Sequence, residues 1–311
     1  MAFIDSVYAL LLQKATVIHE IMHAIGMQHE HQRTDRDKYI EMLWDNIRQG
    51  KQNENMKLEK TKDTNPYDIE SLLQYGLFSF KKTRGYTMRA RDKNLEFLPD
   101  TANGLTFYDV MDITSGYQCT KNCKTKPNCI HGGFVGHRCK CMCPSGTKGA
   151  TCQHIDSDCG KIIHLKSGES EVITSPNYPN TYGVDKECVW LVKNVDGTKI
   201  HLDFEDLHLP KNPGNNRCHH WLEVRYNLIG QTGPKRCGSI TSTASAASLI
   251  SNDNLMMLKL NSRFAKDKAP AKGFKVKVTA EGQGKVNYLL PVGVHIVYSK
   301  CKRQQLLQLD S

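Results

Sequence analysis

The chain holds twelve cysteines, and none precedes Cys119. That distribution constrains folding more than any other feature. It divides the chain into a first part built without crosslinks and a remainder that disulfides can staple into small modules. At 311 residues the chain exceeds the usual size of one domain, so two or three folding units are expected. Disulfides persist in oxidising compartments, which makes a secreted, extracellular protein the expectation. The opening stretch MAFIDSVYALLLQKATV has no basic start and no small-residue cleavage site, so no signal peptide is read in this chain. No apolar run reaches the length of a membrane span. The net charge of +10 is scattered, without a basic stripe interleaved with aromatics, which argues against nucleic acid as a partner. No Asn-x-Ser/Thr acceptor occurs, so N-glycosylation is not expected.

Within the cysteine-free part stands HEIMHAIGMQHEHQRTDRD, from His19 to Asp37. On a helix of about 3.6 residues per turn, His19 and His23 present their imidazoles on one face, one turn apart. Glu20 lies about 100° round from His19, within reach of a metal-bound water while leaving the metal to the histidines. Gly26 can adopt positive φ, ending the helix and returning the chain so that His29 supplies a third nitrogen. The fourth position stays open, as a catalytic zinc requires. A bare HExxH would equally suit a surface helix with coincidental residues, but here the full string is HExxHxxGxxH, the metzincin pattern.

With Glu30, Arg33, Asp35, Arg36 and Asp37 following, and KYIEMLWDNI after them, the segment resembles the astacin family of secreted zinc endopeptidases. The resemblance implies one Zn2+ ion held by His19, His23 and His29, with Glu20 and Tyr75 catalytic. Glu20 would take a proton from the zinc-bound water as it attacks the scissile carbonyl and return it to the leaving amine. Tyr75 stands in SLLQYG, which resembles the family's Met-turn, S-x-M-H-Y, with Leu73 for the methionine and Gln74 for the histidine. Leu for Met is a near volume-conserving swap, expected to cost under about 1.5 kcal/mol. The family's tyrosine is a reversible metal ligand and oxyanion donor, the role implied for Tyr75. Glu30 would pair with the mature N-terminus, and His31 reads as solvated.

The resemblance runs to LTFYDVMDITSGYQC and covers only the later portion of the protease domain. The expectation is therefore a truncated chain without the upper lobe, leaving Ile18, Ile21, Met22 and Ile25 less to pack against and Cys119 without a mate. From Cys123 to Cys152, six cysteines with a C-x-C-P-x-G-x-x-G-x-x-C ending resemble an EGF-like module. Sequence alone allows about fifteen pairings; the resemblance implies first to third, second to fourth and fifth to sixth. A zinc site at the C-x-C cluster is the alternative.

From Cys159 the chain alternates in KIIHL, KIHLDF, WLEVRY and LMMLKL between turn clusters, an all-β sandwich pattern. CG, SPNYP, CVWLV, C-x-x-W-L-E-V, RCG and KGFKVKV together resemble a CUB domain, implying bridges Cys159–Cys188 and Cys218–Cys237. Pro210, His220 and Arg263 fall where many CUB domains carry calcium-binding carboxylates, so no calcium is expected. The tail, with Cys301, is open to strand addition, a family-specific extension or a frame-derived sequence.

The expected fold class is α+β multidomain. It comprises a partial metzincin catalytic domain at 1–118, mostly helical and irregular, a disulfide-rich EGF-like β module at 119–157, a CUB β-sandwich at 158–281 and a tail at 282–311. The expected function is zinc-dependent hydrolysis of peptide bonds in extracellular proteins, with a protein or matrix partner for the CUB domain. The alternative is a catalytically inactive extracellular binding protein acting through its EGF-like and CUB modules.

Overall fold

The computed structural model describes residues 14–215, 217–241, 248–265 and 267–282. The tail and Cys301 lie outside them. Helix α1 is described over residues 14–24. It is followed by 3-10 turns at Glu30–Gln32 and Arg36–Lys38, a short strand β1 (Ile40–Met42), helix α2 (Lys51–Asn55), strand β2 (Met88–Ala90) and helix α3 (Phe107–Gly116). β1 and β2 pair antiparallel, with Ile40 opposite Ala90 and Met42 opposite Met88. Two further 3-10 turns, Trp44–Asn46 and Lys93–Leu95, and connecting loops make up the rest of this segment.

The face of α1 is divided. Met22 is buried against Leu72 and Leu73, with Ala15, Ile18, Met27, Ala102 and Ile113 packed around them. Val17 and Ile21 stay 57% and 53% exposed. Over its described residues the helix is therefore anchored by one apolar edge, through tertiary packing.

The next segment folds around three disulfides, Cys123–Cys139, Cys129–Cys141 and Cys143–Cys152, the pairing that the EGF-like resemblance implies. Its two hairpins join β3 (Phe134–Val135) to β4 (Cys141–Met142) and β5 (Thr147–Lys148) to β6 (His154–Ile155).

Beyond Cys159, two five-stranded sheets pack face to face. One holds β8 (Ser170–Thr174), β10 (Ile200–Leu209), β13 (Gly238–Thr241), β14 (Ser248–Ile250) and β16 (Gly273–Ala280). The other runs in the order β12 (Lys235–Arg236), β11 (Trp221–Arg225), β15 (Leu255–Asn261), β9 (Glu187–Asn194) and β7 (Ile162–Leu165). Every pairing is antiparallel except β7 with β9. Trp190 of β9 meets Phe274 of β16 edge to face at 5.3 Å, across the space between the sheets.

Alternation explains β10, where Ile200, Leu202 and Phe204 point into the core. A bulge between Phe204 and Asp206 shifts the register by one residue, and Leu207 and Leu209 then continue the inward set. β15 does not alternate: Leu255 to Leu260 are all buried. Met256, Leu258 and Leu260 face the inter-sheet core, whereas Leu255 and Met257 join Val189, Leu191 and Ile229 on the outer face. That outer face is covered by the disulfide-rich segment. Ser145 accepts from Arg225 through its carbonyl at 3.0 Å and from Lys259 through its hydroxyl at 3.2 Å.

Both bridges implied for this region, Cys159–Cys188 and Cys218–Cys237, are formed. Beside the first, Gly160 has φ +104°, and a Cβ there would stand 1.9 Å from the Val189 carbonyl oxygen. Gly160→Ala is accordingly expected to lower stability by about 2 kcal/mol or more through forced backbone displacement. Urea unfolding of the full chain measures this as a lower midpoint at unchanged slope.

Candidate metal centre

Helix α1 ends in a Schellman turn. The Gly26 amide donates to the His23 carbonyl at 2.8 Å, and the Met27 amide donates to the Met22 carbonyl at 3.0 Å. Gly26 takes φ +84°, the left-handed conformation this turn demands. Met27 then folds back on the cluster that holds Met22, and the chain reverses so that His29, in extended conformation, precedes the Glu30–Gln32 turn.

The reversal brings three imidazoles together. His23 Nε2 lies 3.1 Å from His19 Nε2 and 3.0 Å from His29 Nε2. Each opposite ring nitrogen is engaged: His19 Nδ1 with the Leu72 carbonyl at 2.9 Å, His23 Nδ1 with the Met27 carbonyl at 2.8 Å, and His29 Nδ1 with Gln32 Oε1 at 2.9 Å. A carbonyl oxygen only accepts, so these Nδ1 atoms carry the protons and the Nε2 atoms present lone pairs to one another. Burial, together with the neighbouring histidines and against the Gln32 hydrogen bond, lowers the His29 pKa to about 4. With His23 Nε2 about 3 Å from both of its neighbours, lone pairs held so close repel unless a cation lies among them, and imidazole nitrogen suits zinc. The donor set therefore fits a divalent ion. Among the described residues, this is the one cluster of three metal-ligating side chains that converge so closely.

Glu20 is exposed on α1 between the two ligand positions. Tyr75 is half-buried, its ring 4.3 Å from that of His29 and stacked at 4.1 Å on that of His31. Burial pushes its phenol pKa up, an Asn55 hydrogen bond lowers it, and the Glu20 carboxylate raises it.

His31 is not solvated. It is 0% exposed, its Nε2 meets the Asn55 carbonyl at 2.9 Å, and burial drives its pKa down to about 3. The ring is wedged behind Tyr75 as a support, which an alternating charged string in sequence does not reveal. Glu30 pairs at 3.1 Å with Arg33, and its Oε1 accepts from the Asp68 amide at 2.7 Å. Its burial raises its pKa well above the usual carboxylate range despite Arg33.

Leu73 sits buried beneath the histidines, its carbonyl accepting from the Glu30 amide at 3.1 Å. Gln74 is buried too, accepting from the Tyr67 hydroxyl at 2.6 Å and donating to the Tyr75 carbonyl at 3.0 Å. This turn hangs from Asp109, which accepts from the Ser71 hydroxyl at 2.7 Å and the Leu72 amide at 3.1 Å. Thr106 and Asp109 form a capping box at the start of α3. Asp68 accepts from Thr106 Oγ1 at 2.7 Å and Gln231 Nε2 at 2.6 Å. The T-x-x-D spacing in TFYD is a cap signal that sequence alone offers for Asp109, whereas no local motif marks Asp68.

At the far end of the β region, His220 is 0% exposed, bonded through Nδ1 to the Tyr182 hydroxyl at 2.8 Å and through Nε2 to the Ala265 carbonyl at 3.0 Å. Arg263 pairs with Asp158 at 2.6 Å, and the Pro210 carbonyl accepts from the His219 amide at 3.0 Å. Cys119 is an exposed free thiol among the described residues.

Residues 9–118 match the family model of the astacin peptidases, and residues 159–278 match that of the CUB domain. Blastula protease 10 of Paracentrotus lividus is 31% identical over 257 residues, covering 79% of this chain and 41% of that protein. Zinc metalloproteinase dpy-31 of Brugia malayi is 29% identical over 281 residues, covering 86% of this chain and 45% of that protein. The chain thus spans less than half the length of these relatives. Among solved structures, high choriolytic enzyme 1, a hatching enzyme zinc-protease from Oryzias latipes, is 30% identical with a TM-score of 0.30, covering 32% of this chain and 50% of that one.

Asp68 generates a pH dependence. Burial, and then the Asp109 charge, raise its pKa from 3.8 to about 7. Between those values the folded chain retains a proton that the unfolded chain has released, so stability falls as pH rises through that window. Asp68→Asn keeps an acceptor for Gln231 and removes the titration. Urea midpoints measured between about pH 4 and pH 7 are expected to decline less steeply in the variant than in the wild type.

Proposed function

From an astacin-family segment at residues 9–118 and a CUB domain at residues 159–278, we propose that this chain acts as a zinc-dependent metalloendopeptidase on extracellular proteins. The observation that carries the reading is the approach of the His19 and His29 Nε2 atoms to that of His23, at 3.1 and 3.0 Å, while every Nδ1 is held by an acceptor. His19, His23 and His29 would hold one zinc ion, whose Lewis acidity would activate the water nucleophile and polarise the scissile carbonyl. Glu20 accepts the proton of the attacking water at its carboxylate and returns it to the nitrogen of the leaving amine. Tyr75 donates its hydroxyl to the developing oxyanion, and its raised pKa keeps that proton in place. Five disulfides support an oxidising, extracellular setting. No helix among the described residues is long and apolar enough to cross a membrane.

The proposed division of labour follows the domain limits 1–118, 119–157 and 158–281. The first cleaves, the EGF-like module spaces, and the CUB domain engages a protein or matrix partner.

Glu20→Gln is expected to retain zinc, measured by metal analysis, while losing hydrolysis of a denatured protein substrate by about 100-fold or more. Tyr75→Phe is expected to lower turnover and leave zinc affinity nearly unchanged. Zinc binding without Glu20-dependent cleavage would select the alternative reading, a catalytically inactive binding protein.

The CUB domain is proposed to bind no calcium. Hard cations need several oxygen ligands; at the positions in question a proline stands, a histidine has both nitrogens engaged, and an arginine is already paired with Asp158. Isothermal calorimetry is expected to show no micromolar calcium site, and a saturable one would overturn this assignment.

A further inference from the structure

The loop after β11 of the CUB domain contacts Asp68 and Glu70, just before the Ser71–Gln74 turn that bonds His19. Gln231 is 2% exposed, and its side-chain amide donates to Asp68 Oδ1 at 2.6 Å. Its own oxygen accepts from Asn227 Nδ2 at 2.9 Å, which fixes the direction of the amide. The other oxygen of Asp68 accepts from Thr106 Oγ1 at 2.7 Å. Thr106 in turn receives the Asp109 amide at 3.0 Å and donates its own amide to Asp109 Oδ2 at 2.9 Å. Asp109 holds the Ser71 hydroxyl and the Leu72 amide. The Leu72 carbonyl then accepts from His19 Nδ1 at 2.9 Å. Two contacts seat the same loop: the Thr232 amide donates to Glu70 Oε2 at 2.7 Å, and the Gly230 amide to the Tyr108 hydroxyl at 3.2 Å.

We propose that the CUB domain is a positioning element of the metal centre, with Gln231 clamping the Asp68–Thr106–Asp109 relay that sets the Leu72 carbonyl against His19. The consequence for the metal rests on the zinc reading above; the clamp itself is a property of the metal-free chain. Asp68 and Asp109 are buried carboxylates close enough to repel. A buried carboxylate that loses a donor is left partly unsatisfied, and its surroundings shift to recover a partner. With Gln231 removed, Asp68 would retain the Thr106 hydroxyl and the Glu70 amide, and the strain of adjustment would fall on the Thr106 cap. Gln231 is therefore a positioning residue that acts through others and touches no ligand.

The test is amide hydrogen exchange on the full, metal-free chain, comparing wild type with Gln231→Met, which keeps volume and removes the donor, and with Gln231→Ala. Arg236→Ala serves as the control. Arg236 crosses the same interface by donating to Asn94 Oδ1 at 2.6 Å but takes no part in the relay. Exchange at residues 71–74 is expected to quicken about tenfold in both Gln231 variants, the size of one lost hydrogen bond to a buried charge, and to stay unchanged in Arg236→Ala. Equal protection in wild type and Gln231→Met overturns the proposal. Equal acceleration in all the variants also overturns it, because that pattern reports general loosening between domains. Cobalt(II) titration supplies a second readout, with weaker binding and an altered visible absorption band expected in both Gln231 variants and not in Arg236→Ala. A wild-type chain that binds no cobalt overturns the zinc reading, and the exchange result still decides the clamp.

Discussion

The carboxylate of Asp109 is the interaction on which the histidine site depends. It is 2% exposed and gathers the Ser71 hydroxyl, the Leu72 amide and the Thr106 amide around its two oxygens. Those bonds fix the turn beneath the histidines to the first turn of α3, where an acidic side chain is also favoured by the helix dipole. Because the Leu72 carbonyl orients His19, the geometry of the imidazole that meets His23 is tied to a carboxylate that never approaches it. A helix anchored by one apolar edge would otherwise fix its imidazoles poorly.

The same turn shows how two departures from the family pattern are absorbed. Leu73 fills the methionine position as a buried apolar side chain within the Met22 cluster, so the floor keeps its packing. Gln74 keeps the polar character of the histidine position by bonding Tyr67 and the Tyr75 carbonyl. Neither change leaves an unsatisfied group at the turn, since the two unpartnered buried polar atoms among the described residues belong to His31 and Asn55.

Much of this organisation was legible in the sequence because it depends on local spacing. The interval of four between His19 and His23 follows from helical periodicity, and Gly26 follows from the need for positive φ at a helix end. The cysteine pairs and the strands from Ile162 to Ala280 follow from family pattern and alternation. What escaped is what lies far apart along the chain. His31 read as solvated because its neighbours are polar, yet it is buried by Tyr75 and α2, which arrive from elsewhere. Asp68 reads as one acidic residue in a turn, and only the fold brings Gln231 to it across 163 positions. The run LMMLKL was read as a strand, but that it is buried on both faces required knowing that Ser145 and Ile229 would cover the second one.

That double-sided burial makes the modules unequal partners in any dissection of the chain. A fragment beginning at Cys159 would uncover Met257 and Val189 where the preceding cysteine-rich loops now shelter them. An oily stripe on an otherwise well-formed sandwich invites self-association. Recombinant pieces meant to stay monodisperse should therefore retain the three small crosslinked loops as a cap, whatever role those loops have in spacing.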